Sequence, residues 1–518
     1  MSLVDLIMAA EAAQAQAAVR RTAYRHQHLA DTPLVVVAYN LSGEAAAPLG
    51  IMYGVAADPA SASLVVAAEP RNRDSRFGAI NEFATDFVQF INPYLELETV
   101  PKRNGGFRQV APDAPQIVVP NRATRAYVGA RLGRSLRYLG LGETHDVPEA
   151  TQWTGSHLSW LAEHSSLPGQ STFLAMTESL SQHFVTGQSA LEDENLATLL
   201  AWVDGVNGAL LASLEVLEES AYGPVPNPRW EARLEPYVKA YSQGLRADDS
   251  EKARLAFERV EREVRDALSV SYAATHRAIA ILRGIDPAAS VPDRWRTDVN
   301  EWSDHARRCT KGIPRFARRH DALRAATTLQ RWTSAAEALE IAQAFDDPMI
   351  MARLDAEGRC VTGTVASLDS ENREIKPGGK RRTRVPLLEM SLTAPTRLLS
   401  GEVVRWTGDK KVKGVLRHVD ATSATVAITS GFNVFDAAGF AADVEAMFVG
   451  LDPWEGMDPW APDEVPWTHR PTTSELAGEE AGDEPAAADD SPDQTIAELV
   501  ELPIVGTVGP EDEPGVVL

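Results

Sequence analysis

The sequence predicts an α+β protein of several domains: an N-terminal α/β domain, a helical middle domain, a small β-barrel of the OB or SH3 type and a disordered acidic tail. Its 518 residues, 44% of them hydrophobic, suffice for more than one core. Strand-like and helical patterns alternate up to residue 147, and helical patterns prevail over 148–354. Short apolar runs separated by turn residues then fill 355–432, which is typical of a small barrel.

The N-terminal part contains the predicted α/β domain. Residues 1–30 form a helical lead that contains Asp5 and Glu11 and lacks a basic start, so it does not resemble a secretion signal. The β-branched run PLVVVAYNL begins at Pro33, and PQIVVP occupies 115–120. Because a helical pattern lies between these two predicted strands, residues 31–147 are predicted to form one α/β domain.

The C-terminal third is predicted to end in a barrel and a tail. Five strand-like runs in 355–432 are separated by the turn sequences PGG, TGDKK and DATS. A short helix and a segment rich in Trp and Pro follow over 433–470. Residues 471–518 carry 13 acidic side chains and no basic one, and are rich in Ala and Pro. Such a composition cannot bury a core, so we expect this tail to be disordered.

The net charge of −23 is concentrated at the C terminus. From Asp436 to Leu518 there are 21 acidic residues against one basic residue, Arg470. Within the nearly neutral remainder, residues 303–331 hold eight Arg or Lys side chains against two Asp. The overall acidity therefore conceals basic clusters that would attract a polyanion.

Cysteine content and hydropathy indicate the cellular compartment in which the protein is expected. Cys309 and Cys360 are the only cysteines, which excludes a disulfide framework and a cysteine-built zinc or iron–sulfur site. No apolar run reaches the roughly 18 residues that a membrane span needs. We therefore expect a cytoplasmic protein with no membrane partner, and the sequence indicates no cofactor.

Residues 330–432 carry the one family resemblance. A helix ending near Asp347-Pro348 precedes G-x-V-x-G-x-V from Gly358, L-x-x-G-x-x-V-x-W from Leu398 and T-V-A-I-T-S-G from Thr425. This pattern resembles the accessory stalk-and-barrel region of UPF1-like superfamily 1 helicases. The resemblance implies a barrel on helical stalks that grips single-stranded nucleic acid beside a motor. The phosphate-binding G-x-x-x-x-G-K motif of the motor does not occur, so no ATPase activity is implied.

Basic residues and one tryptophan are the nucleic-acid candidates. Residues 356–432 hold 13 basic and eight acidic side chains, and Trp406 offers an aromatic face on which a base could stack. The alternative is that Trp406 belongs to the core and that the basic loops are merely solvated. The candidates are Arg307, Arg308, Lys311, Arg315, Arg318, Arg319, Lys376, Lys380, Arg381, Arg382, Arg384, Arg405, Trp406, Lys410, Lys411 and Lys413.

Three groups of residues bear on catalysis or metal binding, and the sequence favours none of them. The acids after a predicted strand lack the E-x-K pattern of a magnesium-dependent nuclease; they are Glu69, Asp74, Glu82 and Asp86. The densest group of histidines lacks the spacing of helical ligand pairs; it consists of His157, His164 and His183. A second group, His26 and His28 beside Tyr24, lies in a segment that is predicted to be extended. Cys309 has no identifiable base in the sequence.

Three Pro-Trp pairs in the acidic segment predict a covered surface. Trp454, Trp460 and Trp467 are costly to leave in water. They are expected either to dock on this chain's own barrel or to anchor a protein partner.

Together these features predict a non-motor accessory subunit of a bacterial nucleic-acid-processing or anti-phage complex. The basic barrel would contact DNA or RNA, and the remainder would bind a separately encoded helicase or nuclease. The sequence favours a protein without catalysis of its own. Two alternatives stay open: a diverged magnesium-dependent nuclease with its site in residues 31–147, and a structural scaffold that does not contact nucleic acid.

Overall fold

The computed structural model describes residues 2–41, 48–102, 105–136, 147–205, 222–314, 322–375 and 381–451. Over these ranges the chain is a mixed α/β protein with a closed six-stranded β-barrel, which confirms the predicted combination of the two. The acidic tail lies outside the described residues, as do eight candidates from the sequence: Arg315, Arg318, Arg319, Lys376, Lys380, Trp454, Trp460 and Trp467.

Helices and strands are interspersed up to residue 203, successive helices follow over 228–356, and strands prevail from 360 to 449. The strands are β1 (Val19–Arg20), β2 (Leu34–Asn40), β3 (Pro48–Gly54), β4 (Ser63–Val66), β5 (Glu98–Pro101), β6 (Phe107–Val110), β7 (Ile117–Val119), β8 (Phe173–Ala175), β9 (Phe184–Val185), β10 (Cys360–Asp369), β11 (Arg373–Ile375), β12 (Arg382–Arg384), β13 (Leu387–Leu392), β14 (Val403–Trp406), β15 (Lys413–Val419), β16 (Ser423–Ser430) and β17 (Glu445–Val449). The helices are α1 (Leu3–Ala15), α2 (Arg73–Ile91), α3 (Arg122–Arg125), α4 (Gly133–Leu136), α5 (Glu149–His164), α6 (Met176–His183), α7 (Leu196–Val203), α8 (Pro228–Arg246), α9 (Ser250–Arg283), α10 (Val291–Cys309), α11 (Ala322–Asp346), α12 (Pro348–Ala356) and α13 (Phe432–Ala437). A π-helical segment, Ala126–Leu132, joins α3 to α4. Among these described helices, none has the length and apolar character needed to cross a membrane.

A five-stranded sheet organises the larger part of the molecule. Its strand order is β4-β3-β2-β7-β8. Strands β2, β7 and β8 run parallel to one another, and β3 pairs antiparallel with both β2 and β4. All seven residues of β2 are buried, as expected for a strand covered on both faces. Strand β8 lies beyond residue 148, so the sheet takes a strand from the segment that the sequence analysis assigned to the helical domain.

Alternate residues of β2 enter two different cores. Val35 and Val37 pack in one cluster with Val264 and Leu268 of α9. Ala38 and the other β2 residues that share its face of the sheet pack against α2, α5 and α10. The sheet is therefore the middle layer of three, because side chains of successive strand residues point to opposite faces.

Helix α9 approaches the sheet closely at a glycine. A Cβ atom on Gly50 of β3 would lie 2.5 Å from Cγ1 of Val264. Real Cβ atoms do not approach other atoms so closely, so any larger residue at 50 would push this 34-residue helix away from the sheet.

The barrel follows α12. Its strands close in the order β10-β13-β16-β15-β14-β17, with β17 returning to β10. Val361, Leu388, Val426 and Phe448 lie in its core. The closing strand β17 pairs Val449 with Cys360. It therefore lies beyond residue 432, where the sequence pattern of five strands ended the barrel.

Candidate nucleic-acid interface

Strand register brings two basic segments to the same end of the barrel. Leu387 at the start of β13 pairs with Ala427 near the end of β16, and Lys413 at the start of β15 pairs with Ser430. The β11–β12 hairpin precedes β13, and the turn 407–412 precedes β15. Since both segments adjoin the same strand ends, they share one end of the barrel. We call the hairpin and this turn the basic end.

The opposite end of the barrel joins the rest of the molecule. Cys360, at the start of β10, follows directly after α12 and pairs with Val449 at the end of β17. The basic end is therefore the end of the barrel that points away from this junction.

The hairpin presents arginines in cross-strand pairs. Arg373 lies opposite Arg384, and Ile375 lies opposite Arg382. Arg373, Arg381 and Arg382 are exposed, and the apolar side chain of Ile375 is 56% exposed. Like charges directly opposite each other destabilise a strand pair unless an anion lies nearby.

Arg384 already has such an anion. Its two terminal nitrogens donate to the two carboxylate oxygens of Asp436 in α13, each at 2.8 Å. Its Nε donates to the Ser370 carbonyl at 2.8 Å. The bonds to Asp436 raise the pKa of the Arg384 guanidinium. Arg384 therefore fastens the hairpin to the barrel wall, whereas its neighbours on the hairpin are the exposed cations.

The turn combines two exposed lysines with a buried framework. Lys410 and Lys411 are exposed, and Lys413 is half-buried. Arg405 is only 2% exposed, and its Nη1 donates to the Lys410 carbonyl at 3.1 Å. From the sequence, Arg405 is predicted to contact nucleic acid, but its side chain is buried and holds the turn through this hydrogen bond.

Trp406 is part of the barrel packing. Its ring is only partly exposed and meets the Phe440 ring edge-on, with centroids 5.1 Å apart. It packs against the core that contains Phe435 and Phe448. Of the two alternatives for Trp406, the geometry favours a position in the core. Most of its aromatic face contacts other side chains of the protein and is therefore not available for base stacking.

The segment that follows β16 and closes the barrel reduces the net charge of the barrel. Residues 356–432 carry 13 basic and eight acidic side chains, but residues 433–451 add three acidic ones. One of these, Asp436, pairs with Arg384. The attraction of the barrel for a polyanion therefore depends on where its cations lie, and much less on its overall charge.

The mid-chain arginines form a separate surface. Arg308 and Lys311 are exposed at the C-terminal end of α10, where Arg307 pairs with Asp304. Helices α10 and α11 run antiparallel: Arg331 pairs with Glu301 at 2.9 Å, and the end of α11 bonds to the residue before α10. The barrel joins that end of α11, a helix about 37 Å long at 1.5 Å per residue. A short stretch of one nucleic-acid strand therefore cannot contact both this cluster and the basic end.

The four acids considered for a nuclease do not assemble a metal site. Glu69 accepts a hydrogen bond from the Ser242 hydroxyl, and Asp86 accepts one from Tyr53 at 2.8 Å. Burial and this carboxylate raise the pKa of the Tyr53 phenol. Within the described ranges, the only group of three or more His, Cys, Asp or Glu side chains close enough to share a cation is found elsewhere.

Several histidines from the sequence analysis have structural partners. His164 Nε2 lies 2.9 Å from a carboxylate oxygen of Asp298, and both side chains are almost fully buried. His28 stacks on Trp295 with ring centroids 4.0 Å apart. Burial lowers the pKa of His28. These side chains bridge elements distant in sequence, and within the described part of the chain they do not converge on a common metal position.

One histidine that the sequence analysis missed completes a cluster. His157, His305 and Cys309 place one potential ligand atom each within 4.8 Å of the others. His305 and Cys309 are four residues apart on α10, which is the ligand spacing expected on a helix. In the sequence this histidine–cysteine pair is no complete ligand set, because the third side chain, His157, comes from α5, 148 residues away from His305.

A small cavity lies beside the C-terminal end of β2. It measures about 260 Å³ and is lined by residues that include Tyr39, Trp230, Arg233, Glu263 and Asp266. None of its lining residues is a candidate from the sequence, and it is distinct from the basic end and from the histidine cluster.

Comparison with known proteins gives no relative. No protein-family model matches the chain, and no similar protein is found among curated sequences or among solved structures.

Proposed function

We propose that this protein is a non-motor accessory subunit that contacts the phosphate backbone of DNA or RNA through the basic end of its barrel. The observation that carries the proposal is the shared position of the β11–β12 hairpin and the turn 407–412 at one end of the barrel. Exposed guanidinium and ammonium groups in such an arrangement neutralise phosphates and release counterions.

The mode of contact follows from the side chains that are exposed. Among its described residues, the basic end offers five exposed cations: Arg373, Arg381, Arg382, Lys410 and Lys411. Because these cations would contact phosphates and not base edges, binding should be insensitive to sequence. Trp406 packs against Phe440, so it contributes little base stacking. The family resemblance of residues 330–432 supports single-stranded nucleic acid as the ligand, with a helicase or nuclease as the protein partner.

The salt dependence of binding has an expected size. Each phosphate neutralised contributes about −0.9 to the slope of log K against log salt on duplex DNA, and about −0.7 on single strands. Five contacts therefore give slopes of about −4.5 and −3.5 respectively. Fluorescence anisotropy with labelled single- and double-stranded oligonucleotides over a salt series measures both.

Charge reversal tests the location. We expect the triple variant Arg373→Glu, Arg381→Glu, Arg382→Glu to bind at least about tenfold more weakly at low salt, with a slope smaller by about 2 to 3. The double variant Lys410→Glu, Lys411→Glu should show a smaller loss of the same kind. Its matched control is Lys239→Glu, Lys252→Glu, which makes the same charge change at exposed sites on α8 and α9.

Two results would contradict the proposal. If the control weakens binding as much as the lysine variant does, the attraction is a general charge effect. If the wild-type chain does not bind either oligonucleotide at low salt, the scaffold alternative replaces the proposal. These experiments do not test whether a partner subunit binds. That part of the proposal is supported by the sequence alone, through Trp454, Trp460 and Trp467.

A further inference from the structure

The cluster of His157, His305 and Cys309 lies where α5 meets α10. Nδ1 of His157 is 3.0 Å from Nε2 of His305, and the Cys309 sulfur is 3.7 Å from the same Nε2 atom. Both histidines are fully buried, and Cys309 is partly exposed. The three side chains thus bring two imidazole nitrogens and one sulfur together at the edge of the core.

The three potential ligand atoms face one another. Nε2 of His305 lies within reach of both Nδ1 of His157 and the Cys309 sulfur. In a hydrogen-bonded arrangement this nitrogen acts either as a donor or as an acceptor, depending on the tautomer. A cation between the three atoms would instead accept a lone pair from each of them.

The spacing of the atoms fits a tetrahedral centre. Zinc–nitrogen bonds of about 2.0–2.1 Å and zinc–sulfur bonds of about 2.3 Å place tetrahedral ligands about 3.3 Å (N to N) and about 3.6 Å (N to S) apart. The observed 3.0 and 3.7 Å lie close to these values, and the third pair of atoms, Nδ1 of His157 and the Cys309 sulfur, lies within 4.8 Å. Binding would therefore require the side chains to adjust around the ion.

Aromatic neighbours hold the two rings in place. His305 stacks on Trp160 with centroids 5.4 Å apart, and His157 stacks on Trp153 at 5.6 Å. These contacts fix the orientation of both imidazoles at the junction of the two helices.

We propose that His157, His305 and Cys309 form a binding site for a zinc-class divalent cation. Two imidazoles and one thiolate suit Zn²⁺, and the fourth position is left to water or a small exogenous ligand. Binding replaces the thiol proton of Cys309 by the metal and releases that proton to solvent. The ion would cross-link α5 to α10, independently of nucleic-acid contact at the barrel.

Cobalt is the probe for the test. The full chain, stripped of metal by a chelator, is titrated with Co²⁺ and followed by absorption. We expect one Co²⁺ per chain, with the intense visible bands of a tetrahedral site and a thiolate-to-cobalt charge-transfer band, both displaced by Zn²⁺. Cys309→Ala should lose the charge-transfer band and bind on the order of 100-fold more weakly or worse. The matched control Cys360→Ala removes the other cysteine and should retain the band.

A second measurement works on the wild-type chain and does not depend on a variant folding. Alkylation of the two cysteines is mapped by mass spectrometry with and without Zn²⁺. We expect Zn²⁺ to protect Cys309 and to leave the labelling of Cys360 unchanged. The proposal is overturned if no Co²⁺ binds, if the charge-transfer band survives in Cys309→Ala, or if Zn²⁺ leaves Cys309 labelling unchanged. Because no nucleic acid is present, each outcome is independent of the proposed function.

Discussion

At the scale of single residues, Asp347 connects distant parts of the chain. One carboxylate oxygen accepts from the backbone N–H groups of Ala23 and Tyr24 at 2.8 and 3.1 Å, and lies 3.1 Å from Nε2 of His26. The other accepts from the Met349 N–H at 2.9 Å and caps α12. A buried carboxylate requires several donors, and here they come from the N-terminal segment and from the helix before the barrel.

His183 continues this network as a neutral ring. Its Nε2 accepts from the His26 N–H at 3.1 Å, and its Nδ1 donates to the Ser179 carbonyl at 2.6 Å. Both nitrogens are used in the neutral form, so protonation of Nε2 would break the first bond. Burial is the main cause that lowers the pKa of His183 to about 4.

His183 should therefore make stability depend on pH. Its pKa is depressed in the folded state, so the unfolded chain takes up the proton first, near the ordinary value of about 6.5. The contribution of His183 to the free energy of unfolding is fully present above pH 6.5 and is lost as the pH falls toward 4. We expect His183→Gln, which cannot titrate, to show a dependence of unfolding free energy on pH shallower by about 1 kcal/mol per unit between pH 6 and 5. Urea unfolding at several pH values measures this, and equal slopes would contradict it.

The histidines also show what residue patterns can predict. The i, i+4 spacing of His305 and Cys309 is visible in the sequence, but it has meaning only once a third ligand is known. That ligand, His157, arrives through the packing of α5 on α10. No local pattern encodes this contact, because it depends on which faces of two separate helices are covered by the sheet.

At the scale of elements, glycines set how closely strands and helices approach. Gly363 of β10 pairs with both Leu392 and Ala446, in the middle of the barrel wall. A Cβ atom there would lie 2.0 Å from the Ser391 carbonyl oxygen, a backbone atom that cannot move aside alone. Gly78 is exposed within α2, and a Cβ atom on it would point into open space.

Two alanine substitutions should consequently have opposite effects. We expect Gly363→Ala to destabilise the barrel by about 1–3 kcal/mol, because the wall must distort to admit the methyl group. Gly78→Ala should stabilise by about 0.5–1 kcal/mol, since alanine loses less backbone entropy in a helix. Calorimetry of both variants beside the wild type measures the shifts. A neutral Gly363→Ala would show that the barrel wall tolerates the added atom.

Strongly patterned elements were predictable, and short ones were not. The β-branched run of β2 and five of the six barrel strands carry clear signals in the sequence. Strand β8 has only three residues, too few for alternation to distinguish it from a neighbouring loop. Strand β17 is separated from the other barrel strands by helix α13, so it falls outside the run of closely spaced strand patterns. The basic end could not be predicted either, because its two segments are joined only by strand register.

At the scale of the whole molecule, a small apolar cluster joins the barrel to the helices. Ile341 of α11 and Leu354 of α12 pack with Cys360 and Val449 at the junction end of the barrel. Arg359 adds an ion pair with Glu340. The orientation of the basic end relative to the rest of the molecule depends on this cluster, which has far fewer buried apolar side chains than either core beside the sheet.

Leu354→Ala should loosen this junction. Leu354 is 2% exposed, and truncating a buried leucine to alanine costs about 2–5 kcal/mol. Because the loss falls on the connection between barrel and helices, we expect the variant to be cleaved faster by a protease between residues 346 and 360, with both fragments otherwise resistant. Limited proteolysis with mass spectrometry measures the site and the rate. Leu399→Ala, at a barrel position that is 67% exposed, is the matched control and should be cleaved like the wild type. Unchanged cleavage in Leu354→Ala would show that the junction is held by contacts other than this cluster.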